Sequence, residues 1–110
     1  LVLAAPAASA SPMEVWSLAE GAIHRDFPDM CLDSEGTPWI VFIEYAGKSD
    51  QLRLARKTGD RLEVVGELSS PGIIHQPRIA RDGAGTLWAV WSQLEDEKGW
   101  DLYCRRIDSE

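Results

Sequence analysis

The sequence has no run of lysine or arginine. Its 11 basic residues face 18 acidic ones, for a formal net charge of −7 and a pI near 4.7. Nucleic acid and anionic membrane surfaces both need a basic footprint, so neither is expected as a partner. No apolar run approaches the roughly 18 residues of a membrane-crossing helix, and no membrane span is expected. Cysteine is scarce: Cys31 and Cys104 are the only two, and neither has a His or second Cys at metal-ligand spacing. Both read as small buried thiols standing where another residue would be Ala, with a Cys31–Cys104 disulfide as the alternative in an exported protein. A phosphate-cradling glycine loop, a Gly-x-Ser-x-Gly elbow and a cofactor fingerprint are all missing. Accordingly no cofactor, no metal ion and no catalytic residue is expected. Helical periodicity is missing too.

What the chain has is material for a core, at 45% hydrophobic and 26% charged. Leu1–Ala10 is nearly all Ala, Leu, Val, Pro and Ser, and Ala8-Ser9-Ala10 places small residues where a signal peptidase cuts, before Ser11. Residues 1–12 are expected to be a signal-peptide remnant or an Ala/Pro-rich linker, and the protein to be secreted or periplasmic.

Slid on itself by 49 positions, the chain matches without a gap: Glu14-Val15 falls on Glu63-Val64, Pro28 on Pro77, Asp33 on Asp82, Gly36-Thr37 on Gly85-Thr86, Trp39 on Trp88, Val41 on Val90 and Arg56 on Arg105. Copy one runs from Met13 to Arg61 and copy two from Leu62 to Glu110. Since Asp, Gly, Pro and Trp punctuate structure, their coincidence marks a true repeat. Each copy divides into four short strands. Pro28–Leu32 and Pro77–Arg81 follow a proline, which a strand tolerates at its first residue. Tight turns follow at Asp33–Gly36 and Asp82–Gly85, where Asp can bond its own backbone. Trp39–Ile43 and Leu87–Trp91 are apolar runs suited to a strand buried on both faces, with Trp39, Trp88 and Trp91 in the core. Gln51–Arg56 and Trp100–Arg105 supply a third strand, and Arg61–Leu68 a fourth. Four-stranded units of roughly 40 to 50 residues have the period of β-propeller blades. The fold class expected is all-β, with two antiparallel blade repeats.

The Asp-x-x-Gly-x-x-Trp signature, at Asp33-Gly36-Trp39 and Asp82-Gly85-Trp88, resembles blades of bacterial exported propellers of the TolB-like and BNR-like kind over residues 13–110. It departs from the sialidase Asp-box, where Gly comes two residues after Asp rather than three, and no arginine triad accompanies it. The resemblance therefore implies the propeller architecture and not sialidase chemistry.

The order of strands carries a further expectation. Glu14–Leu18 is equivalent to the fourth strand Glu63–Glu67, so copy one opens with the outer strand of a neighbouring blade, while copy two lacks its own. Two exposed edges would invite pairing. Head-to-tail association is expected, with Glu14, Val15, Trp16 and Leu18 of one chain completing the sheet whose third strand carries Trp100, Leu102 and Cys104 of the next. A homotrimer making a six-bladed ring is favoured over a dimer or tetramer. The alternative is that the chain is an excised or engineered piece of a longer propeller.

Propeller ligands sit at the loop face, where this sequence places His24, Arg25, Asp26, Glu44, Tyr45, His75, Gln76, Gln93 and Trp100. His24 and Asp26 suit acid–base work, Arg25 suits a carboxylate, and Trp100 suits a stacking platform under a sugar ring. Such a mouth would take an acidic sugar. The reading carried forward is a non-catalytic scaffold or binding module for a glycan or protein. The alternative is a polysaccharide-active, lyase-like enzyme using His24 or His75, Tyr45 and Arg25.

Overall fold

In the computed structural model, residues 13–18 and 24–108 are described. Seven strands follow one another: β1 His24–Leu32, β2 Pro38–Ala46, β3 Ser49–Thr58, β4 Arg61–Glu67, β5 Ile73–Arg81, β6 Leu87–Glu95 and β7 Gly99–Ile107. The fold is all-β, with no helix among the described residues. Strands β1-β2-β3-β4 form one antiparallel meander and β5-β6-β7 a second. Met13–Leu18 carries no strand; Trp16 instead lies under the Lys57 ammonium, 4.7 Å from its ring centroid.

The inner strands begin earlier than the prolines suggest. His24–Asp26 and Ile73–His75 are already paired with β2 and β6, and each strand bulges just before its proline. Phe27 and Gln76 take positive φ there, 54° and 52°. The bulge absorbs the ladder donor that Pro28 and Pro77 lack, so pairing continues on the far side.

The hairpin after β2 turns in two residues, Gly47 and Lys48, whereas that after β6 takes three, Asp96 to Lys98. One extra residue shifts β7 by a single position relative to the ungapped repeat. Trp39 faces Arg56 across its ladder, while Trp88 faces Arg106 and not Arg105. The structural counterparts are thus Leu54 with Cys104, Leu52 with Leu102 and Asp50 with Trp100.

Both sheets repeat one local device. Asp33 Oδ1 accepts from the backbone N–H of Glu35 and Thr37, each at 2.9 Å, and its Oδ2 accepts from the Trp39 indole at 2.9 Å. Asp82 does the same with Ala84, Thr86 and Trp88, at 2.9, 2.9 and 2.8 Å. Gly36 and Gly85 close these turns at φ 84° and 90°, which a Cβ would oppose. Each carboxylate is held below its ordinary aspartate value, first by the indole N–H and then by backbone N–H groups.

The core lies between the sheets. We call front the face of the first sheet that carries Trp39, Val41, Ile43, Leu52 and Leu54, and back the face of the second that carries Ile74, Ile79, Leu87, Ala89, Trp91 and Ile107; the two close on each other, with Leu68 from the connection. Strand β2 is covered on both faces over Val41–Glu44, as expected, but β6 alternates buried and exposed. Trp88 was expected in the core beside Trp39, yet it is 39% exposed against 3%. The indoles have the same bond to Asp; what differs is that, among the described residues, no third sheet covers the front of the second one.

Asp33→Ala and Asp82→Ala remove the same set of hydrogen bonds, so burial alone separates them. Stranding the buried Trp39 N–H should cost about 2–3 kcal/mol, and freeing the exposed Trp88 N–H, which water can satisfy, clearly less. Urea unfolding of the two variants measures the difference.

Candidate functional site

An antiparallel meander sends alternate connections to opposite ends. The β2–β3 and β6–β7 hairpins and the β4–β5 connection therefore share one end, which we call the loop end. Asp50 ties that end together. Its backbone N–H and C=O pair with Gly72 at 2.7 and 3.0 Å, and its Oδ2 accepts from Ile74 N–H at 3.0 Å. Further along the joint, Asp29 Oδ2 accepts from Ile79 N–H at 2.9 Å. Neither carboxylate stood out in the sequence, because the repeat has Arg78 and Trp100 at their places.

The residues of the expected mouth divide between two faces, since successive side chains of a strand point opposite ways. His24 pairs in register with Tyr45 and Asp26 with Ile43, on the front of the first sheet. Tyr45 is pushed above its ordinary value by burial, then by the charges of Asp50 and Asp26. Arg25 lies on the other face, where its Nε sits 3.2 Å from Glu44 Oε2. There it makes an ion pair on the face opposite His24 and Asp26.

Glu44 is buried, and a second guanidinium reaches it. Arg53 Nε lies 3.1 Å from Glu44 Oε1, and Arg53 Nη1 is 3.3 Å from Glu67 Oε1. The Arg53 Nε contact is charge against charge, since its N–H does not align as a hydrogen bond. Gln51 donates to Glu67 Oε2 at 2.6 Å, completing the chain of contacts. This polar cluster holds all four strands of the first sheet together. The counterpart of Glu44, Gln93, is also structural: its Oε1 accepts from Trp91 Nε1 at 3.0 Å and its Nε2 donates to Ser70 Oγ at 3.2 Å.

The second sheet brings together two expected residues on a solvent-facing surface. His75 of β5 and Trp100 of β7 reach across Ser92 of β6, with ring centroids 4.6 Å apart and planes tilted by 31°. Trp100 is 50% exposed. Gln76 sits in the adjoining bulge and is exposed.

At the opposite end, a cleft of about 640 Å³ opens between the sheets, lined among others by Asp33, Arg56, Lys57, Thr86 and Asp108. No sequence feature pointed there. Among the described residues no group of His, Cys, Asp or Glu is arranged to hold a metal ion, and no helix is long and apolar enough to cross a membrane. Cys31 and Cys104 are free thiols on different sheets, and burial followed by the Asp29 charge raises Cys31 above the ordinary thiol value. Comparison with protein-family models, curated proteins and solved structures found no match to the chain.

Removing Glu44 leaves two guanidinium groups facing each other without their shared carboxylate. Glu44→Ala should cost about 3 kcal/mol. Glu67→Ala removes a half-exposed partner and should cost under about 1 kcal/mol. Chemical denaturation of both variants checks the contrast.

Proposed function

We propose that the chain is a pair of β-propeller blades acting as an exported, non-catalytic binding module. It works as a homo-oligomer, and its ligand is a glycan held at the loop end. The reading of the two sheets as blades is supported by their meander order, the repeated Asp–turn–Trp device and their front-to-back stacking.

The observation that carries the ligand class is the exposed His75–Trp100 pair. An indole held in place by a neighbouring ring offers a flat apolar face at little entropic cost, which is what the C–H face of a sugar stacks on. Its polar surroundings are acidic, with Glu95, Asp96, Glu97 and Asp101 on and beside the same hairpin. A neutral oligosaccharide fits this end better than an acidic one. The residue set at the mouth binds and orients, and no nucleophile or metal group enters the reading.

Calorimetric titration with a panel of neutral oligosaccharides tests this. Binding is expected, and Trp100→Ala should weaken it tenfold or more, about 1.4 kcal/mol. The far-end variant Lys57→Ala should bind as the unmodified chain does. Equal affinity in Trp100→Ala, or no binding across the panel, would overturn the reading.

A further inference from the structure

The two sheets meet front to back, so among the described residues no sheet covers the front of the second or the back of the first. The repeat says what those faces are built to do. With β7 aligned one residue on, the front residues Trp39, Val41, Ile43, Leu52 and Leu54 have counterparts Trp88, Val90, Ser92, Leu102 and Cys104. The first set is at most 5% exposed, while Trp88 and Val90 are each 39% and Leu102 is 73% exposed. Cys104 is exposed as well. The back of the first sheet is open only in part: Phe42 and Ala55 are buried there, at 4% and 1% exposed, and the Arg25–Glu44–Arg53–Glu67 ion pairs lie across it. Met30 is 54% exposed where its counterpart Ile79 is 6%, and Pro28 is exposed where Pro77 is buried.

We propose that the front of the second sheet docks on the back of the first sheet of a second copy of this chain, in the geometry that joins the two sheets within one chain. This rests on the blade reading above. The occupant follows from the internal joint: the surface it shows to fit such a front is a back, and an uncovered back is carried by the same chain. The contact is heterologous, so front meets back and never front meets front, and repetition closes a ring or propagates. An exposed apolar face of this kind is otherwise a liability in water.

The joint between copies differs from the internal one in a readable way. Within the chain, Asp29 and Asp50 accept from the backbone N–H groups of Ile79 and Ile74. Their counterparts on the free front, Arg78 and Trp100, carry no acceptor. The joint between copies therefore lacks the internal joint's carboxylate-to-backbone bonds and sets apolar front residues against a back that also carries the Arg25–Glu44–Arg53–Glu67 ion pairs, and association is reversible. The counterpart of His75 is Asp26, which stays exposed beside the closed internal joint. His75 accordingly remains at the rim when copies dock, whereas Trp100, at the place of the half-buried Asp50, is covered in part.

Two single variants test the arrangement: Leu102→Glu places a charge on the front, and Met30→Glu places one on the back. Both sites are exposed in the single chain, and circular dichroism should show each variant folded. In sedimentation velocity at a concentration where the unmodified chain associates, each variant alone should run as monomer. Mixed in equal amounts they should form a one-to-one dimer of twice 12.2 kDa, because each keeps the face the other lost. Self-association of either variant alone, no complex on mixing, or an unmodified chain that stays monomeric would each overturn the proposal. Sugar titration separates this from the reading it rests on: a monomer that still binds sugar removes the joint and leaves the binding site.

Discussion

A sheet made from this repeat is apolar on both faces, and the rest of the structure follows from having to cover them. In the first sheet the front carries Trp39, Val41 and Ile43, and the back carries Ile40 and Phe42 on the same strand. The second sheet covers only the front, although Phe42 on the back is itself buried, at 4% exposed. Stacking a second copy covers the front and passes the difficulty on, so the stack ends in a front like the one it covered. Layered domains escape this by having polar outer faces. Here the outer face of the second sheet keeps Trp88, Val90 and Leu102.

Within that constraint the two copies have been given different polar work. Asp29 and Asp50 fasten the internal joint through backbone N–H groups, and Arg105 reaches across to the carbonyls of Glu67 and Leu68 at 3.2 and 3.1 Å. The Arg25–Glu44–Arg53–Glu67 chain spans all four strands of the first sheet, where the second has Gln93 with Trp91 and Ser70. The shared element is the Asp–turn–Trp bond set, identical in both. Local turn chemistry is thus repeated, while contacts between sheets are particular to each.

The local elements were legible in the sequence because they depend on residue type. Asp, Gly and Trp at fixed spacing gave the period, and the apolar runs gave β2 and β6. Features that depend on pairing were not legible. The one-residue slip in β7 is hidden because Arg105 and Arg106 are both arginine, so an ungapped match looks intact. The early starts of β1 and β5 rest on a bulge at Phe27 and Gln76, residues with no turn signature. Once His24–Asp26 is a strand and not a loop, alternation alone sends Arg25 to the opposite face from its neighbours. The expectation for Trp88 followed its twin Trp39 and could not register that one sheet has a neighbour on its front and the other has none. Of the candidate site, only the His75–Trp100 pair emerges as two expected residues in contact at a solvent-facing surface. Its partners lie on strands two apart, a proximity that sequence spacing does not encode. Glu14–Leu18, expected as an added strand, forms no ladder within one chain.

If another copy closes the open front, association stabilises the folded chain by mass action, and dilution must weaken that stabilisation. The direct measurement is the thermal midpoint of the unmodified chain, followed by far-ultraviolet circular dichroism over roughly a hundredfold range of protein concentration. A Tm that climbs steadily with concentration is the predicted result. A Tm that stays constant across the range would mean that the two stacked sheets are sufficient alone, and that the exposed face of the second sheet has some other use.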